Sequence, residues 1–285
     1  MKIAEKIKAL GWGGLFILSG CVVPLNVPPK TGSVQAPHID FARLTELAQA
    51  SGNAYESDAA IAAAYGQSNV IIRDLPDLDI RYIIVLSSAQ HTQTIAIRGT
   101  INKPNIGEDI NSIKIYDLRL KIFLHLGFKR AADQIYADLS PFLKKGDKIR
   151  LTGHSLGGAV ACILMMNLLH DGIPVDQVVT FGQPKVTNES GGDGFKTAPY
   201  LRVINDQDLV PQLPPSNINY DLSGAYQHFG PEITLLADGK WTYSPVNTPK
   251  DFITNDNWKQ LDLENAVDHQ ITNYISRLQA VKVVP

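Results

Sequence analysis

The chain has 285 residues, 44% hydrophobic and 19% charged, with a formal net charge of -2. These values suit one sizeable globular domain and exclude a disordered or fibrous chain. With no long run of one sign there is no basic stripe to grip a phosphate backbone, so nucleic-acid binding is excluded as a starting hypothesis.

The first residues carry Lys2, Lys6 and Lys8, then an apolar stretch over 9–18, then Ser19 and Gly20 before Cys21. That is the pattern of an export signal, and its apolar part is shorter than the roughly 20 residues a spanning helix needs. The ending Leu18-Ser19-Gly20-Cys21 resembles the lipobox of bacterial lipoproteins. The resemblance implies cleavage before Cys21, lipidation of its thiol and anchoring to a membrane. Val22 stands where that family uses an aspartate for inner-membrane retention, which implies the outer membrane. The alternative is an ordinary signal peptide or uncleaved anchor with Cys21 incidental. Residues 1–20 are thus read as a lipoprotein signal peptide. Residues 21–38, with Pro24, Pro28, Pro29, Gly32 and Pro37, are read as an extended tether, and 39–285 as the folded domain. Once Cys21 is lipidated only Cys162 remains, so no intramolecular disulfide forms, and its apolar surroundings predict a buried, inert thiol.

Asp40 opens a helical pattern to Ala50 with Phe41, Leu44, Leu47 and Ala48 on one face, and a second short helix is expected over 58–65. Residues 82–87 and 94–98 are β-rich, 118–126 alternates apolar and polar residues, and 129–143 reads as a helix. A strand over 148–152 precedes a helix over 155–170. Strands follow at 177–181, 200–205 and 233–237, and a helix over 267–278 closes the chain. Such alternation predicts an α/β fold, a mostly parallel central sheet with helices on both faces.

The strongest local signal is Ile149-Arg150-Leu151-Thr152-Gly153-His154-Ser155-Leu156-Gly157-Gly158-Ala159. A β run meets G-x-S-x-G and then an apolar helix, the arrangement of a nucleophile elbow. The serine sits in a sharp, strained turn, and Gly153 and Gly157 leave room for strand and helix to approach. Ser155 is thereby lifted to the N-terminus of a helix whose dipole favours developing negative charge. Neither a P-loop lysine nor a dinucleotide glycine pattern accompanies these glycines. A serine needs a base, and the base needs an acid to fix its tautomer; in this fold the chain order is Ser, Asp or Glu, His. His170, His228 and His269 follow Ser155. His170 lies at the far end of the helix that Ser155 begins, about 22 Å away by helical rise, and is excluded.

Beyond the elbow, four further segments stand in order: Ile97-Arg98-Gly99-Thr100, His125-Leu126-Gly127-Phe128, Phe181-Gly182-Gln183-Pro184-Lys185-Val186, and Arg202 through Pro211 with Asp206 and Asp208. Together they resemble the class 3 lipases, the family of fungal triacylglycerol lipases and many bacterial and plant phospholipases. The resemblance covers about 82–278 and implies the α/β-hydrolase fold. It makes Asp208, ahead of the Val-Pro turn, the triad acid, with Asp206 as the competing choice. It makes His269 the base, with His228 the alternative, because an aromatic usually follows the family's histidine by about one helical turn and here Tyr274 is five residues on. His125, which precedes the nucleophile, is read as a packing or hydrogen-bonding residue. The oxyanion hole is assigned to the backbone N–H of Leu156 and to Thr100.

The mechanism this implies is two-step acyl transfer through an acyl-enzyme, with no metal or organic cofactor; no His or Cys cluster has zinc-like spacing. The substrate is expected to be a lipid ester, cleaved as by a lipase or phospholipase. The alternatives are an esterase for small or cell-wall-linked esters and a non-catalytic lipoprotein that kept the fold. Residues 101–116, with Ile106, Ile110, Ile113 and Ile115, hold the position of the family's lid. They read either as a mobile amphipathic flap or as a loop whose isoleucines pack inward. Oligomeric state is not encoded in any of these signals.

Overall fold

In the computed structural model, which describes residues 37–76, 79–99, 113–215, 223–246 and 267–282, neighbouring side chains of the strand Val175–Phe181 point to opposite faces of a sheet. Val178 joins a core on one face, while Val179 and Phe181 join a second core on the other. Burial on both sides is why the end of this run, Val178-Val179-Thr180-Phe181, is uncharged and buried at every position rather than alternating.

The strands are β1 (Val70–Leu75), β2 (Ile80–Ser87), β3 (Thr92–Ile97), β4 (Lys114–Asp117), β5 (Ile122–His125), β6 (Lys148–His154), β7 (Val175–Phe181), β8 (Thr187–Asn188), β9 (Tyr200–Asn205), β10 (Tyr226–Gln227), β11 (Glu232–Leu235) and β12 (Trp241–Ser244). Eight of them form one sheet in the order β1-β2-β3-β6-β7-β9-β11-β12. Its centre, from β3 to β11, is parallel, and its two edges are antiparallel. A smaller sheet has the order β10-β8-β5-β4.

The helices are α1 (Phe41–Asn53), α2 (Asp58–Tyr65), α3 (Leu126–Leu139), α4 (Leu156–His170), α5 (Glu189–Asp193) and α6 (Ile271–Ala280). The stripe Phe128, Ala132, Ile135 and Leu139 of α3 packs with α4 on one face of the sheet, and Leu44 and Leu47 of α1 pack with Tyr274 and Leu278 of α6 on the other. Each buried leucine contributes roughly 1.5–3 kcal/mol. α4 is buried continuously from Gly157 to Leu168, so it has no polar stripe and sits inside the core. α1 starts where the Asp40 carboxylate accepts the N–H of Arg43 at 2.9 Å, and Ser51 on that helix bonds Thr152 of β6, hydroxyl to hydroxyl, at 2.9 Å.

Two expectations are corrected. The alternation over 118–126 is not one strand: it is a turn, with Lys121 at φ 58°, followed by β5, and Leu126 already belongs to α3. The closing helix is broken at Gln270 into a 3-10 turn, Val267–His269, and α6. Strands β1, β4, β8, β10 and β12 escaped the sequence reading; β8 and β10 are two-residue pairings, and β1 and β12 are half-exposed edges without a clean period. The leader, Cys21, the tether through 36, Thr100 and residues 101–112 lie outside the described residues. Among the described residues no helix is long and apolar enough to cross a membrane.

The parallel register pairs Ile97 with Gly153, His154 with Phe181 and Phe181 with Val203. These strands therefore finish along one carboxyl edge, and Gly99, Ser155, Gly182 and Asp208 all lie just past it.

Candidate active site

Ser155 follows β6 at φ 58° and ψ -130°, a backbone conformation costly for any residue with a side chain. The flanking glycines make the turn possible by absence of atoms. A Cβ on Gly153 would lie 2.3 Å from the Gly157 carbonyl oxygen, and one on Gly157 would lie 2.1 Å from that of Ile97. Leu156 opens α4, where the first N–H groups have no intrahelical acceptor and the helix dipole is positive.

The Ser155 hydroxyl oxygen stands 2.8 Å from Nε2 of His269, and Nδ1 of His269 stands 2.8 Å from Oδ2 of Asp208. A carboxylate only accepts, so Nδ1 carries the hydrogen and Nε2 offers its lone pair to the serine O–H. The Asp208 side chain is fully buried, and an ionised group there needs donors. It has them: Oδ1 accepts the N–H of Val210 at 2.9 Å, and Oδ2 also accepts the Tyr274 hydroxyl at 2.6 Å. Tyr274 in turn accepts the N–H of Asn205 at 3.1 Å. The unusual five-residue spacing from His269 is thereby explained: the histidine sits on the 3-10 turn, and Tyr274 on α6 still reaches the acid.

Gly182 has a φ of 58°, and a Cβ on it would lie 2.8 Å from Oδ2 of Asp208 and 3.0 Å from the His269 ring. The histidine turn is also held by its backbone, since the Asn205 amide donates to the Asp268 carbonyl at 2.7 Å. Burial, with the Asp208 charge second, pushes the Tyr274 hydroxyl well above its ordinary range, so it stays a donor.

The competing residues are engaged elsewhere. Asp206 pairs with Arg277 at 2.9 Å, and His228 hydrogen-bonds the Pro211 carbonyl at 2.6 Å. His125 caps α3, its Nδ1 accepting from Phe128 N–H at 3.3 Å, with its ring stacked on Phe128 at 3.8 Å. Burial pushes the Cys162 thiol up to about 12, the inert state expected of it. The predicted oxyanion residue Thr100 is outside the described residues, but its neighbour Gly99 is in place beside the elbow. Against Leu156 lies a pocket of about 270 Å³ lined by Ile80, Ile97, Phe128, Ala131 and Val160 together with the charged Asp79, Arg98 and Arg130.

Such an arrangement can move a proton from a serine hydroxyl to an imidazole and stabilise the resulting imidazolium with a buried carboxylate. Tyr55, His154 and the role of Tyr274 were missed by sequence reasoning. The aromatic after the histidine was the one signal available, and its odd spacing concealed its partner.

Residues 94–218 match the family model described as lipase (class 3). A secreted mono- and diacylglycerol lipase of Fusarium solani is 31% identical over 161 residues, 53% of this chain and 46% of that protein. A chloroplastic phospholipase A1 of Arabidopsis thaliana is 26% identical over 220 residues, 70% of this chain and 31% of that protein. The chain thus spans less than half the length of these curated relatives. The triacylglyceride lipase structure of Rhizomucor miehei superposes with a TM-score of 0.64 at 20% identity, over 81% of this chain and 94% of that one. The shared fold is the α/β-hydrolase fold.

Proposed function

We propose that this chain, whose residues 94–218 match the class 3 lipase family model, is a serine hydrolase of lipid carboxylic esters. The observation that carries the reading is the unbroken line of hydrogen bonds from Ser155 through His269 to Asp208. Ser155 attacks the ester carbonyl as His269 takes its proton, and Asp208 holds the imidazolium. The Leu156 N–H and Thr100 stabilise the oxyanion, His269 returns the proton to the leaving alcohol, and water then hydrolyses the acyl-enzyme by the same route. The apolar wall beside Leu156 suits an acyl chain.

The same reading makes residues 1–20 a lipoprotein signal and Cys21 the lipidated anchor, so that the domain works at a membrane surface where its substrates are concentrated. The secreted relative from Fusarium solani supports export. The test is hydrolysis of p-nitrophenyl esters from short to long chains in detergent micelles, wild type beside Ser155→Ala. Turnover that vanishes in the variant and rises with chain length is expected. Turnover that survives in Ser155→Ala would overturn the assignment of the nucleophile, and a preference for the shortest chains would overturn the lipid substrate.

A further inference from the structure

Two side chains that the acyl-transfer scheme does not use join three of its segments. The Tyr55 hydroxyl, just beyond α1, lies 2.9 Å from the Gly99 nitrogen and 3.0 Å from Nδ1 of His154. On the other side of that ring, Nε2 lies 2.6 Å from the backbone carbonyl oxygen of His269. The two ends fix the direction of the terminal bonds, because an amide N–H only donates and a carbonyl only accepts. Nε2 of His154 therefore carries a hydrogen. Burial, and next the neighbouring His269, push this histidine down to about 3, so the ring is neutral and Nδ1 is left as an acceptor. Burial pushes the Tyr55 hydroxyl up, so it keeps its proton, donates it to Nδ1 and accepts the Gly99 N–H.

One directed chain thus runs from Gly99 through Tyr55 and His154 to His269. Gly99 adjoins Thr100, His154 adjoins Ser155, and His269 is the base. The contact is close: a Cβ on Gly99 would lie 2.4 Å from the Tyr55 hydroxyl and 2.8 Å from the His154 carbonyl oxygen. The His154 and His269 rings pack with centroids 4.7 Å apart.

We propose that Tyr55 and His154 are positioning residues for the reaction, holding the strand end that leads to the oxyanion donor and the backbone of the base in one register around Ser155. The proposal rests on the Ser155–His269–Asp208 reading. Neither side chain touches substrate in this scheme. An oxyanion donor works only when aimed within a few tenths of an ångström of the developing charge, so loosening this chain weakens the transition state more than the bound ester.

The experiment compares full-length wild type with Tyr55→Phe, His154→Gln and His154→Phe in micelles, reading kcat and KM on a p-nitrophenyl ester and affinity for a boronic acid that forms a tetrahedral adduct with Ser155. Direct removal of an oxyanion donor costs about 10²–10³ in kcat, and indirect displacement is expected to cost about 10–100-fold. Tyr55→Phe should lose kcat by that factor, lose boronate affinity in proportion and keep KM within about twofold. His154→Gln, which retains an N–H for the His269 carbonyl, should recover part of what His154→Phe loses. The proposal is overturned if Tyr55→Phe matches wild type in all three readings, or if kcat falls with boronate affinity unchanged. Absence of Ser155-dependent turnover and of boronate binding in the wild type would instead sink the underlying catalytic reading. If His154→Phe fails to fold, Tyr55→Phe, which only removes one oxygen, carries the test.

Discussion

The hydroxyl of Tyr274 donates to Oδ2 of Asp208 at 2.6 Å, the same oxygen that accepts Nδ1–H of His269. One carboxylate oxygen therefore ties the base to the last helix. Tyr274→Phe removes a charge-assisted bond inside the core and should destabilise the fold by about 1.5–3 kcal/mol. With the acid less firmly oriented, kcat should fall about tenfold at unchanged KM. Thermal unfolding and ester kinetics read the two effects separately, and an unchanged melting temperature would contradict the burial argument.

Stability should fall as pH drops below about 6.5. His154 is pushed down to about 3 and His228 is pushed well below its ordinary value, in both cases first by burial. Between the unfolded and folded pKa values the unfolded chain binds more protons, so unfolding becomes easier with acid. The stabilisation is fully present above the unfolded pKa and is lost as pH falls toward the folded one. Each histidine contributes a slope of up to about 1.4 kcal/mol per pH unit in that window. His154→Gln should flatten the slope in denaturant titrations from pH 7 to 4; an equal slope in both proteins would refute the assignment.

Gly182→Ala is expected to damage the site more than the fold. Its φ of 58° disfavours alanine, and the new Cβ meets Asp208 at 2.8 Å and His269 at 3.0 Å. The triad spacing must open to admit it. A fall in kcat of about 10²-fold or more is expected, with circular dichroism retained; near-normal kinetics would show that the loop relaxes without disturbing the acid.

Ser155→Ala and His269→Ala should each lower kcat by about 10⁴-fold or more, and the double variant should be no worse than the weaker single, because a proton relay fails as a unit. Multiplicative losses in the double variant would mean that the two residues act independently.

Cys21→Ser should release the protein from membranes. Wild type expressed in a bacterium with a lipidation pathway should take up radiolabelled palmitate and sediment with the membrane fraction, and the variant should do neither. Membrane association that persists without Cys21 would return the leader to the status of an ordinary signal or uncleaved anchor.

Much of the centre of the sheet was legible because its strands are buried and its connections helical. The strand over 200–205 and the helix over 58–65 coincide with β9 and α2. The elbow was legible for a more local reason: its conformation is set within a few residues by glycines that can approach other backbone and by the apolar segments on either side. The hairpin of β4 and β5 was misread because a turn with Lys121 at positive φ interrupts an apolar pattern without glycine or proline to announce it.

The residues alone determined the class of fold and pointed to Ser155 as the candidate nucleophile, with the chain order expected of its partners; they left Asp206 beside Asp208 and His228 beside His269. Tertiary structure separates them in space. Asp206 turns to Arg277 and His228 to the Pro211 carbonyl, while Asp208 and His269 face each other across 61 residues and His269 faces Ser155 across 114. Turn geometry is a short-range property, encoded by neighbours along the chain. Which histidine meets which carboxylate depends on how helix α6 packs on the sheet, and on contacts such as Tyr274 with Asp208 that exist only once both cores have formed.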